Sequence, residues 1–168
     1  MKTIYLLRHA KSSWADTGIG DRDRPLAPRC QRAAEKIANH LRQQGAATAI
    51  VLCSSARRAR ETLALVAPAF GSATEHAVEE GLYAASAAQL LGRLRRIPDR
   101  TASVMIIGHN PGLQDVAVTL VGHGAWLERL REGFPTAALA VLRSPIASWS
   151  ELRPGEAELI DFVVPRGL

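Results

Sequence analysis

The sequence predicts one α/β domain over residues 1–168: a three-layer sandwich whose mostly parallel central sheet is flanked by helices. Three observations carry this. Lys2–Leu7 (KTIYLL), Ala49–Cys53 (AIVLC) and Ser103–Ile107 (SVMII) are short runs rich in β-formers and apolar at consecutive positions. Such runs fit strands buried on both faces, as in a parallel sheet covered by helices. Stretches with helical apolar spacing lie between them, and strand and helix alternate along the chain. The length of 168 residues suits one domain with a sizeable core.

Taken in order, Lys2–Leu7 is the first strand. Lys11–Arg24 is polar, with Gly18, Gly20 and several Asp and Arg, and reads as a loop closed by Arg24-Pro25-Leu26. Asp21-Arg22-Asp23 lacks the hydrophobic strand that precedes the paired aspartates of metal-dependent phosphatases, so it reads as solvated loop. Leu26–Gln44 carries the next helix, with Ala33, Ala34, Ile37, Ala38 and Leu41 at helical spacing and Gly45 as its stop. After the strand Ala49–Cys53, Ser54-Ser55 offers a cap for a helix over about 56–69. Glu75–Val78 reads as a short strand, and Ser86–Arg96 as a helix with Leu90, Leu91 and Leu94 inward, broken at Pro98-Asp99. The strand Ser103–Ile107 is followed by Gly108-His109-Asn110-Pro111-Gly112. There Asn110 caps a helix that begins at Pro111 and runs to about Val121. Ala137–Leu142 and Ser148–Leu152 are expected as two last strands joined around Ser144-Pro145. The tail carries no signal.

Composition excludes several classes. Apolar residues make up 47% of the chain, as in a globular fold. No apolar run approaches the ~20 residues that span a bilayer, and Arg8, His9 and Lys11 interrupt any leader-like start. A cytoplasmic protein without membrane association is expected. Cys30 and Cys53 are the only cysteines, with neither disulfide nor metal spacing. The formal charge of +5 could attract acidic partners, but Arg far outnumbers Lys and no basic run is interleaved with aromatics, which reads as a compositional bias and disfavours nucleic acid.

The three buried strands each end in chemically capable residues: Arg8-His9, Ser54 to Arg58, and Gly108-His109. Open α/β sheets bind ligands at the carboxyl edge of their strands. Arg57, Arg58 and Arg60 crowd the first turn of a helix, where the macrodipole disfavours cations; an anion bound there reconciles the conflict. Solvated side chains are the alternative, and it suits Arg57 and Arg60. Gly108 and Pro111 place His109 at a strand-to-helix crossing, at the same sheet edge as His9.

Leu7-Arg8-His9-Ala10, Ser54-Ser55-Ala56-Arg57-Arg58-Ala59-Arg60-Glu61-Thr62 and Gly108-His109-Asn110-Pro111 resemble, in order, the three signatures of the histidine phosphatase superfamily, which includes the cofactor-dependent phosphoglycerate mutases. The short length, Arg24-Pro25-Leu26 and Phe134-Pro135-Thr136-Ala137 resemble the SixA-type phosphohistidine phosphatases. Cys30 departs from the pattern, standing where the family usually has Gly.

The resemblance implies a phosphoglycerate mutase-like fold and a phosphatase without metal or other cofactor. His9 would attack phosphorus and become phosphorylated, and water would then release phosphate. The R-A-x-x-T pattern puts the second arginine at Arg58. Arg8, Arg58 and a protonated His109 would surround the phosphoryl oxygens. Phosphomonoesterases and mutases of the family use a Glu as proton donor near Glu79-Glu80, so Glu80 is the candidate acid, although SixA-type members share no clear acid there; a charged surface pair is the alternative. The implied substrate is phosphohistidine on a protein domain, with a small phosphorylated molecule, or binding without turnover, as alternatives. A cysteine-based phosphatase fails on spacing, since the position needing Arg after Cys53 is Ala59.

Overall fold

The structure is a computed structural model describing residues 1–168. Six strands form one sheet: β1 (Lys2–Arg8), β2 (Ile50–Ser54), β3 (Glu75–Glu79), β4 (Ser103–Gly108), β5 (Leu139–Ser144) and β6 (Glu158–Val163). Their order is β3-β2-β4-β1-β5-β6. The first four run parallel, and β5 and β6 add an antiparallel edge. Side chains alternate across the sheet, as strand geometry requires. Ile4, Leu6, Leu52, Val104 and Ile106 enter one core with α3 (Ala87–Arg95) and α4 (Gly112–Val121). Tyr5, Leu7, Val51, Cys53, Met105 and Ile107 enter the other, under α1 (Gln31–Gln43) and α2 (Arg57–Val66). A short α5 (Leu127–Glu132), not expected from the sequence, follows α4. No helix is long and apolar enough to cross a membrane.

The N-terminal two-thirds follow the sequence reading closely. The helix expected from Leu26 instead begins at Gln31, after a 3₁₀ turn over Pro28–Cys30, and Leu26 bridges to Ser12. Cys30 sits at φ −97°, ψ −4°, a right-handed conformation that needs no glycine. Ser54 and Ser55 do not cap α2: its N-cap is Ala56, with no side-chain cap. Ser86 does cap α3, in a reciprocal box with Gln89. α4 starts one residue later than expected, and Asn110 Oδ1 accepts from the Gln114 backbone N–H at 3.2 Å.

The C-terminal third differs. Ser148–Leu152 is not a strand: Trp149–Glu151 forms a 3₁₀ turn anchored by the buried Trp149, whose indole N–H donates to the Thr101 carbonyl at 2.8 Å. One large aromatic pulling inward mimics a strand's apolar signal. The last strand is β6, in the tail. Its Glu158 and Asp161 blur the alternation, because an edge strand leaves much of itself to solvent.

Gly112, at the start of α4, packs against the turn carrying Ala84 and Ala85. A Cβ there would lie 1.9 Å from the Ala85 carbonyl oxygen. Gly→Ala within a helix ordinarily stabilises by about 1 kcal/mol. Here Gly112→Ala is expected to destabilise by about 1–3 kcal/mol through overpacking, read from urea unfolding. A stabilised variant would contradict this packing.

Candidate active site

The sheet register brings the candidate site residues His9, Arg8, Arg58 and His109 together. Leu7 and Cys53 both pair with Ile107, and one step further Arg8 pairs with Gly108. His9 and His109 therefore leave neighbouring strands at one level, with the His9 N–H donating to the Gly108 carbonyl at 3.1 Å. Their ring centroids are 5.0 Å apart. Arg58 arrives from the first turn of α2 and is 6% exposed. Its Nε donates to His9 Nε2 at 3.4 Å, and its Nη2 lies 3.4 Å from His109 Nδ1. Arg57 and Arg60 point away: Arg57 pairs with Glu61, and Arg60 donates to the Ser55 carbonyl.

Backbone and side-chain contacts fix both imidazoles. His9 Nδ1 lies 2.7 Å from the Ala10 carbonyl, so it carries the proton and leaves the Nε2 lone pair facing the cavity. His109 Nε2 lies 2.7 Å from Ser54 Oγ, and its Nδ1 faces the Arg58 donor. The last residue of the R-A-x-x-T pattern has a positioning task. Thr62 Oγ1 donates to the Arg58 carbonyl at 2.8 Å and accepts the Ala10 N–H at 3.0 Å, tying α2 to the loop after His9. Glu61 ties the same helix to the backbone N–H of Leu26.

The Phe134-Pro135-Thr136-Ala137 turn supports the site from the other side. The Phe134 ring is buried against Phe162, and its carbonyl accepts from Arg8 Nη1 at 2.9 Å and Asn110 Nδ2 at 3.0 Å. The Ala137 N–H reaches the carbonyls of Arg8 and His9, both at 3.0 Å, with Ala137 at φ +61°. Ala84, which lines the cavity, also has positive φ, at +55°. Non-glycine residues in this region carry local strain, which concentrates at functional sites.

Arg8, His9, Arg58, Ala84 and His109 line a cavity of about 470 Å³ with Lys11, Ser12, Trp14, Asp21, Arg24, Tyr83, Asn110 and Thr136. Asp21-Arg22-Asp23 is not the solvated loop expected from the sequence: it forms a 3₁₀ turn, and Asp21 lines the cavity. Asp21 Oδ1 accepts from Arg24 Nε and Nη2 at 3.2 and 2.8 Å, and Oδ2 accepts from Arg58 Nη2 at 3.1 Å and from the Tyr83 hydroxyl. The Asp21 backbone carbonyl accepts from Arg58 Nη1 at 2.7 Å. Arg24 is buried and stacks on Trp14, its guanidinium 3.4 Å from the ring centroid. No periodicity reveals Asp21, Arg24 or Tyr83, because a loop and two turns bring them in. Glu80 does not line the cavity; its exposed carboxylate pairs with Arg22. Glu79 is bound by Arg93.

The electrostatics are those of a cation-rich pocket. Burial above all, with the guanidiniums of Arg58 and Arg8 and the neighbouring His109 ring adding to it, pushes His9 down to about 3. Burial, with Arg58 and Arg8, pushes His109 down to about 4. Both imidazoles are therefore neutral in the free protein, so His109 does not carry the charge expected of it there. Hydrogen bonds from Tyr83, Arg24 and Arg58 hold Asp21 well below the usual carboxylate range. Arg8 Nε and Arg24 Nη1 are buried without a hydrogen-bond partner.

A parallel-sheet α/β fold with a neutral histidine set among buried guanidiniums at the strand ends is that of a phosphate-handling enzyme. The model of the histidine phosphatase superfamily, branch 1, matches residues 4–96. A Mycobacterium tuberculosis protein, itself uncharacterized, is 40% identical over 167 residues, covering 95% of this chain and 100% of its own. A candidate phosphohistidine phosphatase SixA from Agrobacterium tumefaciens is 31% identical, with 98% of each chain covered and a TM-score of 0.84. The protein histidine phosphatase SixA complexed with tungstate shares the fold at 21% identity, with 98% of each chain covered and a TM-score of 0.80. The chain belongs to the histidine phosphatase superfamily, branch 1. Within it the chain is of the SixA type, and its fold and family are those of a phosphatase.

Two buried neutral histidines make a stability prediction. Below their unfolded value of about 6.5 the unfolded chain binds protons that the folded chain refuses, so stability must fall as pH falls from 6.5 towards 4. The slope is at most roughly 1.4 kcal/mol per pH unit for each group. Urea unfolding at pH 7 and pH 5 should show a less stable protein at pH 5, with a smaller difference in His109→Gln. Greater stability at pH 5 would contradict the buried neutral imidazoles.

Proposed function

We propose that this phosphatase hydrolyses phosphohistidine on a protein domain, without a metal, through a phosphorylated His9. The observation that carries the reading is the His9 Nε2 lone pair, set in the cavity by the Nδ1 contact to the Ala10 carbonyl and flanked by Arg58. Besides the covalent bond to His9, phosphoryl transfer needs positioning and charge stabilisation. Arg8 and Arg58 supply fixed donors and positive charge. His109 joins them by taking up a proton when the dianion arrives, since the anion's charge reverses the effect of the guanidiniums on it.

The steps balance on these atoms. The His9 Nε2 lone pair forms the new N–P bond as the substrate's bond to phosphorus breaks, its electron pair leaving with the departing group. Water then attacks phosphorus and the N–P electron pair returns to Nε2, with the water's proton released. An ester expels an alkoxide, which calls for a general acid worth ~10²–10⁴-fold. The cavity lining holds one carboxylic acid, Asp21, which its four donors keep ionised, and Glu80 lies outside. A protonated phosphohistidine brings its own proton and leaves as neutral imidazole. The exposed mouth, with Trp14 70% exposed, suits a side chain borne on a protein. The name of the SixA relative from Agrobacterium tumefaciens points the same way. The two guanidiniums take the charge-neutralising part that a metal plays in other phosphatases.

The test is turnover of a phosphohistidine peptide beside p-nitrophenyl phosphate and sugar phosphates, with and without EDTA. We expect kcat/KM to be highest on phosphohistidine and indifferent to chelator. Arg58→Lys should cost about a hundredfold or more, far more than Arg57→Lys or Arg60→Lys. Faster hydrolysis of alkyl phosphates, abolished by Glu80→Gln, would instead make the chain a small-molecule phosphomonoesterase with Glu80 as its acid. Equal losses at all three arginines would defeat the assignment of Arg58.

A further inference from the structure

Asp21 is the one carboxylate lining the cavity, and it lies outside the three family signatures. We infer that Asp21 sets specificity for the leaving group: its carboxylate accepts the ring N–H of a protonated phosphoimidazole and so favours P–N over P–O substrates. The inference rests on the phosphohistidine reading and names the group that enforces it.

The placement follows from burial. His9 forms the floor of the cavity at 7% exposed, whereas the Asp21 side chain is 48% exposed at the mouth, beside Tyr83 and Trp14. In-line attack by His9 puts the leaving group on the far side of phosphorus, towards that mouth. Asp21 receives four donors, two from Arg24 and one each from Arg58 and Tyr83, the full complement of a carboxylate. When phosphoryl oxygens engage Arg58 Nη2, one Oδ2 lone pair is released beside the leaving group. The ring N–H of a phosphoimidazolium fills it. As the N–P bond breaks, its electron pair goes to the departing ring nitrogen, and the N–H stays on the other nitrogen, bonded to Asp21. The product is neutral imidazole, not imidazolate. A phenolate or alkoxide has no hydrogen to offer and meets a like charge, so the same carboxylate disfavours it.

Asp21 is also suited to this by what faces it. Arg24 from its own turn, Arg58 from α2 and Tyr83 from the turn after β3 all donate to it, with His109 behind Arg58. These contacts keep it an acceptor across the working pH range. Replacing the side chain leaves Arg58 a fixed partner, because Arg58 Nη1 also donates to the Asp21 backbone carbonyl.

The experiment compares wild type with Asp21→Asn on phosphoimidazole and p-nitrophenyl phosphate, each protein measured on both substrates from one preparation so that any loss of folded protein cancels. We expect the ratio of kcat/KM, phosphoimidazole over p-nitrophenyl phosphate, to fall about tenfold or more in Asp21→Asn. The basic limb of the phosphoimidazole pH profile should also move to lower pH, because the variant no longer holds the proton on the substrate ring. A parallel loss on both substrates would reduce Asp21 to a positioning residue for Arg58 and overturn the inference, as would an unchanged or raised ratio. Wild type that fails to cleave phosphoimidazole overturns it outright. Wild type that cleaves phosphoimidazole but not a phosphohistidine peptide leaves the Asp21 comparison decisive while removing the protein substrate.

Discussion

Arg58 brings a guanidinium to the junction of three strand ends, 6% exposed, and much of the surrounding structure answers to that charge. Burying a cation without a partner is costly, and the penalty is met by pairing or by neutralising neighbours. Here Arg24 is buried nearby as well and Arg8 is partly buried, and the only carboxylate lining the cavity is the half-exposed Asp21. The two histidines respond by staying neutral. The pocket is left with more fixed positive charge than the chain balances, the electrostatic complement of a phosphoryl dianion. Burial first, and the guanidinium charges second, keep His9 unprotonated and leave its Nε2 lone pair free.

Holding that arrangement takes support from elements distant in sequence. Thr62 and Glu61, one turn along α2 from Arg58, bond to the backbone after β1 and to the end of the following loop. The Phe134–Ala137 turn fastens the carbonyls of Arg8 and His9 and orients the Arg8 side chain, with Ala137 accepting a left-handed backbone to do so. A rigid shell of this kind is what positions reacting groups without reorganisation during the reaction.

Much of this was legible in the sequence, for a physical reason. Three of the four parallel strands, β1, β2 and β4, are buried on both faces, so their apolar runs stand out, and the residues that emerge at their ends, Arg8, His9, Ser54 and His109, are fixed by register alone. Arg58 sits one residue inside a helix that follows such a strand. Residues that reach the cavity from loops and turns carry no such periodicity. Asp21 reads as one charge among several in a polar loop, and Tyr83 as an isolated aromatic after a short edge strand. The final edge strand was obscured for a related cause: Glu158 faces solvent and Asp161 reaches His40 on α1, while the buried Trp149 lent a strand-like signal to a 3₁₀ turn. Glu80 carries the right chemistry at a plausible place in the chain, but its side chain turns out to Arg22.

The central claim is that His9 Nε2 becomes covalently bonded to phosphorus. It is tested most directly by mixing the protein with a radiolabelled phosphohistidine substrate, quenching in alkaline denaturant within the first turnovers, and locating the label by peptide mapping and ³¹P NMR. The account predicts label on His9 with phosphorus on Nε2, because Nδ1 is committed to the Ala10 carbonyl. Label on Nδ1 or on another residue, or turnover with no labelled protein at any time point, would contradict it.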